Sequence, residues 1–167
     1  MLEIAQVIPS TTLLYIAALV IYTLVVRRIN VFSYVFIGVL LVEVLHLGTS
    51  FYLKSVPTDS DLYSYFYYSW YLGFAATDFL FIGLTLLWCR KNNLKLEPIS
   101  KSVLWLYAIM GFIQLIRLIE REITDSFIMS FIYQAGTELI NLVVGVLLIG
   151  FVIKEIYSNV MSSYRSL

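Results

Sequence analysis

Polar and charged residues in this chain gather into short clusters that separate five long apolar stretches. A helix needs about 20 mostly apolar residues, within a range of roughly 17–25, to cross about 30 Å of hydrocarbon. The stretches Ser10 to Val26, Val31 to Leu53, Tyr65 to Cys89, Val103 to Ile119 and Phe127 to Ile153 reach that length, the first being the shortest. Ser10, Thr11 and Thr12 follow Pro9 and suit a helix start, because their hydroxyls accept from the free N–H groups of a first turn. The pattern predicts an all-α fold. Residues 1–167 form one polytopic transmembrane bundle of five spans, and residues 154–167 continue the last span as a helical extension. The longest connection, Arg90 to Ser102, is too short for a soluble domain. Any chemistry therefore lies in the membrane, at its surfaces or in a partner.

Composition agrees with this reading. Of the 167 residues, 60% are hydrophobic and 13% charged, against about 45–50% and about 25% in soluble domains. The mean hydropathy is +0.88. These values exclude a soluble enzyme and a disordered segment. Eleven basic residues balance eleven acidic ones, which leaves no surplus for a nucleic-acid face. Short cytoplasmic loops retain Lys and Arg. An outside N-terminus puts Arg27, Arg28, Arg90, Lys91, Lys95, Lys101, Lys154 and Arg165 inside, and Lys54, Arg117 and Arg121 outside. The expected orientation is therefore N-outside and C-inside. Arg27 and Arg28 come after the first apolar run rather than before it, which suits an uncleaved span. The expected location is a bacterial or archaeal plasma membrane. Cys89 is the only cysteine; it reads as a packing thiol, with acylation at the membrane surface as the alternative.

Several polar side chains interrupt the apolar spans. Glu43 and His46 share one face of span two, and Asp78 sits in span three. Gln114, Arg117 and Glu120 follow each other at spacing three in span four, and Gln134, Glu138 and Asn141 form a stripe in span five. Ionisable groups at mid-membrane cost at least about 2.5–3.5 kcal/mol each, so such stripes should face the bundle interior or a water-filled cavity. Glu43, Asp78 and Glu138 are three acids against one assured cation, Arg117, with His46 as a second. At least one of the three acids is expected to be protonated at neutral pH. Glu43, His46, Asp78, Gln114, Arg117, Glu138 and Asn141 thus form the candidate ligand- or proton-binding cluster. The competing reading is glue between helices, at roughly 0.6–2 kcal/mol per contact.

Two further patterns bear on the cluster. Ala75-Ala76-Thr77-Asp78 is echoed by Ala135-Gly136-Thr137-Glu138, and Tyr34-x-x-x-Gly38 by Tyr107-x-x-x-Gly111, as in a weak parallel duplication. Small residues beside the acids would let helices approach closely. The run from Asp61 to Tyr71 is rich in Tyr and Trp, and reads either as an interfacial aromatic belt or as the wall of an outward vestibule.

Catalytic alternatives fail on inventory. One histidine excludes a di-iron bundle and bis-histidine haem. A zinc site would have to use His46 with Glu43, Asp78 or Glu138. There is no phosphate-binding glycine motif, no regular arginine ladder and no lysine inside a span for a Schiff base. No enzyme activity, cofactor or resident metal is expected. Past span five, Ile153, Tyr157, Val160, Tyr164 and Leu167 recur at spacings of four and three, an a/d seam suited to pairing. The expected partners are the lipid bilayer, a second copy or another membrane-complex subunit, and a small ligand or proton. The leading reading is a signal-input or accessory module that relays the state of its polar cluster through the last span. The alternatives are a small proton- or ion-coupled transporter and an assembly subunit whose cluster is purely structural.

Overall fold

The computed structural model describes residues 10–27, 30–55, 63–123 and 128–165, with backbone alone for Ser10, Thr11, Tyr63, Ser64 and residues 162–165. Regular structure among the described residues is entirely helical: α1 (Ser10–Val26), α2 (Val31–Lys54), α3 (Tyr63–Lys91), α4 (Pro98–Ile123) and α5 (Ile128–Arg165). Helices α2 to α5 are long and apolar enough to cross a membrane. Helix α1 has 17 residues and is about 25 Å long at 1.5 Å per residue, at the lower limit for a span. The chain is thus a helical protein built for a membrane. Large apolar side chains such as Leu24, Leu84, Trp105 and Leu142 are exposed on the outer surface of the bundle. Lipid tails would cover them, whereas water would make them an aggregation face.

Helix limits differ from the sequence expectation mainly where capping chemistry decides. Helix α4 starts at Pro98, before the apolar run, because proline suits a first helical position whose N–H has no partner anyway. Asn30 caps α2 by a reciprocal pair of bonds: its side chain accepts from the Ser33 N–H at 3.0 Å, and the Ser33 hydroxyl accepts from the Asn30 N–H at 3.3 Å. Asn30 also donates to the Tyr22 hydroxyl at 2.9 Å, which ties the α1–α2 turn to α1. Helix α5 runs 38 residues without a break from Ile128 to Arg165, about 57 Å at 1.5 Å per residue.

Each helix packs against its neighbour in sequence, α5 closes the ring against α1, and α2 touches α4 across it. The two ends of this ring differ. The end carrying the α1–α2 and α3–α4 connections holds Arg27, Arg90, Lys91, Lys95, Lys101 and Lys154 and is called here the basic end. The apolar core fills that half, with Tyr22, Phe32, Phe36, Val103 and Leu148 fully or almost fully buried. Phe32 lies at its centre, 5.4 Å from the Tyr22 ring and 4.2 Å from Phe151. Cys89 is a buried free thiol within this core. The opposite, aromatic end is where the polar residues collect.

Helix α3 is seated by two glycines. A Cβ at Gly38 of α2 would collide with the Phe81 ring, and a Cβ at Gly111 of α4 would lie 3.0 Å from the Phe79 ring and 3.5 Å from the Asp78 Cβ. The echoed glycines of α2 and α4 therefore each receive a phenylalanine from α3, and that close approach fixes the depth of Asp78. The rest of the echo is not matched in environment. Tyr107 is buried and Tyr34 exposed; Asp78 is buried and Glu138 exposed.

Candidate functional site

The polar residues of α2, α3 and α4 meet at one junction. Asp78 has no exposed surface and Gln114 is buried beside it. The Gln114 side-chain amide donates to Asp78 Oδ2 at 3.4 Å. His46 Nε2 lies 3.5 Å from Asp78 Oδ1 and 2.6 Å from the Thr77 hydroxyl. Thr77 Oγ1 is also 2.8 Å from the Phe74 carbonyl oxygen and 3.1 Å from that of Gly73. A hydroxyl has one proton to give. When Thr77 donates it back to its own helix, His46 Nε2–H donates to Thr77, which fixes the tautomer. The Phe74 ring meets the imidazole edge-on, with centroids 4.6 Å apart. Asp78 Oδ1 and Gln114 Oε1 are buried acceptors without a hydrogen-bond donor. Burial leaves such unpaired acceptors far from their preferred solvation, a cost that the junction carries.

Two cavities adjoin this junction. The smaller, about 250 Å³, lies toward the aromatic end and is lined by all five helices. Its polar wall includes Thr12, Glu43, His46, Gln114, Thr137 and Asn141, and Trp70 and Tyr133 stand over it. The Trp70 indole donates to the Tyr133 hydroxyl at 3.1 Å, holding α3 to α5. The larger, about 670 Å³, runs between α1 and α5 and is lined mainly by apolar side chains, with Glu43, Glu138 and Asn141 at one end. Among the described residues, neither lining contains a lysine or arginine. Tyr15 joins α1 to α5 here: its hydroxyl donates to the Asn141 carbonyl at 3.1 Å, and its ring occupies the space a Cβ on Gly145 would take.

Of the two placements expected for the polar stripe of α5, bundle interior or cavity, Glu138 and Asn141 take the cavity. Gln134, Glu138 and Asn141 are exposed. The buried face of α5 is set instead by Ile140, Val144, Leu148 and Val152, and Glu138 lies about 160° round the helix from Ile140 at 3.6 residues per turn. Glu138 and Asn141 therefore form a rim beside the larger cavity. Arg117 sits higher on α4 and forms an ion pair with Glu120, one turn along the same helix. Glu120 in turn accepts the Met129 N–H at 3.0 Å. That amide belongs to the first turn of α5, where backbone donors lack helical partners, so Glu120 caps the next helix. Arg121 donates to the Tyr71 hydroxyl at 3.3 Å and lies over the Tyr67 ring, 4.5 Å from its centroid.

The aromatic run divides between the two readings given for it. Tyr65 and Tyr68 point outward as a belt would, while Trp70 lines the smaller cavity and Tyr71 is buried against Tyr133 at 5.6 Å. The zinc arrangement does not assemble: among the described residues, no three His, Cys, Asp or Glu side chains gather as a metal site. On the α5 extension Ile153, Tyr157 and Val160 are exposed along one side. The Tyr164 side chain, with Arg28, Asp61, Phe127 and Leu167, lies outside the described residues. Sequence reasoning missed Thr77, Tyr15 and Tyr133 as site residues. Thr77 carried a signal in its position next to Asp78; Tyr15 carried none, since a tyrosine in an apolar span is ordinary.

Compared with protein families, with curated proteins and with solved structures, the chain matches none.

Proposed function

We propose that this chain is a non-enzymatic integral membrane module, a signal-input or accessory subunit. A small ligand or proton enters the polar cavity, and α5 carries the resulting change to a partner helix on its Ile153–Tyr157–Val160 side. One observation carries the reading: α5 supplies Tyr133, Thr137 and Asn141 to the cavity wall and then continues unbroken to Arg165. A rigid helix that is both wall and lever transmits a rotation or shift of about 1–2 Å without a hinge to absorb it. In this reading α1 counts as the fifth span, since it packs along α2 and α5. The N-terminus is outside and the C-terminus inside, which places the smaller cavity toward the outer surface and the extension in the cytoplasm of a bacterial or archaeal cell.

A proton- or ion-coupled transporter is the second reading, favoured by Glu43, which lines both cavities and so stands at their junction. Proteoliposomes loaded with a pH-sensitive dye, under an imposed potential, decide between them. The module reading predicts no proton flux from the intact protein. Flux that is present in the intact protein and lost in Asp78→Asn overturns it in favour of transport.

A further inference from the structure

The two cavities share Glu43 and Asn141, and end to end they make one elongated site. Its part near the aromatic end is polar, with His46, Ser50 and Thr137 on the wall. Beyond Asn141 the lining changes to Leu142, Val146, Ile149 and Ile153 along α5, faced by Leu14 of α1. From Glu138 to Ile153 this groove extends about 22 Å at 1.5 Å per residue, room for a long alkyl chain. A polar pocket continued by an apolar groove has the division of an amphiphile. Leu14, Leu142 and Val146 are exposed on the lipid-facing side, so a chain enters sideways from the bilayer.

The head is selected by charge. Glu43 and Glu138 stand where pocket and groove join, with no lysine or arginine among the described residues of either lining. A phosphate or carboxylate head would be repelled there, and a neutral alcohol would leave the acids without a counter-charge. An ammonium group offers three donors and the complementary charge. We infer that this site binds a single-chain amphiphile with a primary-amine head, the amine beside Glu43 and the alkyl chain along the α1–α5 groove. The inference rests on the reading that the cavity is a ligand site, and it names the ligand class.

Trp70, on the cavity wall, is the reporter. The test uses the full chain in liposomes with Trp88→Phe and Trp105→Phe, titrated with hexadecylamine carrying a doxyl quencher near the head. Hexadecanol and hexadecanoic acid with the same label serve as comparisons. The expected result is saturable quenching by the amine at a mole fraction about tenfold below that needed for the alcohol, as for a charge-assisted bond in low dielectric. The acid should not saturate. Glu43→Gln should bring the amine down to the alcohol. Gly150 lines the groove, and a Cβ there meets nothing within 4 Å. Gly150→Phe places a ring at this wall and should weaken amine and alcohol alike. Quenching by the acid as strong as by the amine, quenching that rises without saturation for all three, or indifference to Gly150→Phe in a folded protein would each overturn the inference. None of these readouts involves the α5 extension. Amine binding that leaves the extension unmoved removes the relay and leaves the ligand class standing. An extension that responds to Glu43→Gln in a protein blind to the amine removes the ligand class alone.

Discussion

Gly38→Ala is the sharpest test of how α3 is seated, and hence of what sets the depth of Asp78. The added methyl would overlap the edge of the Phe81 ring. Phe81 is buried, and its ring stands edge-on to Tyr107 with centroids 5.1 Å apart, so it cannot retreat toward α4. Inserting a methyl into a packed site of this kind costs about 1–3 kcal/mol, while replacing glycine within a helix returns up to about 1 kcal/mol. With the full return, the net expectation is a loss of up to about 2 kcal/mol. Gly48 lies on the same helix with open space at its Cβ position. Gly48→Ala should therefore show only the propensity gain, from about zero to 1 kcal/mol. The assay is reversible unfolding in mixed micelles, titrated with dodecyl sulfate and followed by far-UV circular dichroism. Phe81→Leu removes the ring edge that the new methyl would strike, so the double variant should be more stable than the sum of the two losses by about 1 kcal/mol or more. Equal behaviour of Gly38→Ala and Gly48→Ala, or simple additivity with Phe81→Leu, would refute the seating argument.

Three other outcomes follow from the same packing. In a Cys89→Ala background, Ser55→Cys at the end of α2 should react with an impermeant maleimide on intact cells, and Asn92→Cys in the α3–α4 turn only after permeabilisation; the reverse pattern overturns the orientation. Glu120→Ala removes one partner from Arg117 and the acceptor of the Met129 N–H, and should cost about 1–3 kcal/mol, with faster hydrogen exchange at Met129 as the local signature. Glu97, just before α4, is held above its ordinary carboxyl range first by burial and then by the Glu155 carboxylate, and its Oε2 is buried without a hydrogen-bond partner. Its folded form thus binds a proton more readily than its unfolded form, so this site favours folding increasingly as pH falls from neutral through the raised value. Glu97→Gln should stabilise the protein at neutral pH and flatten that dependence in dodecyl sulfate titrations; a loss of stability at neutral pH would contradict the assignment.

The helices were legible because apolar runs of membrane length leave little choice: backbone groups in hydrocarbon must be satisfied within the helix. The seam between basic and aromatic ends was also readable, from where Lys, Arg, Tyr and Trp fall. The cluster was legible only in part. His46, Asp78 and Gln114 meet because Gly111 lets α3 approach α4 there. The pairing itself depends on helix rotation, which one sequence does not fix when every face is apolar. Glu138 shows the same gap from the other side. Its stripe suited either the bundle interior or a cavity; Ile140, Val144, Leu148 and Val152 had the stronger claim to the core, and the acid stands on a cavity wall. Glu120 was readable as a partner of Arg117 by its i,i+3 spacing, but not as the cap of α5, which requires knowing how the α4–α5 connection folds back.

The central claim is that the state of the cavity is expressed in the α5 extension. Its most direct measurement is the distance between spin labels at Tyr157→Cys on α5 and Asn92→Cys in the α3–α4 turn, in the Cys89→Ala background, by double electron–electron resonance. Neutralising the cavity acid with Glu43→Gln should displace the distance distribution by about 1–2 Å, the scale of a helix shift within a bundle. Truncation after Lys154 would remove the reporter helix, so the full chain is required. Superimposable distributions, in samples where Trp70 fluorescence shows that the cavity has changed, would contradict the relay.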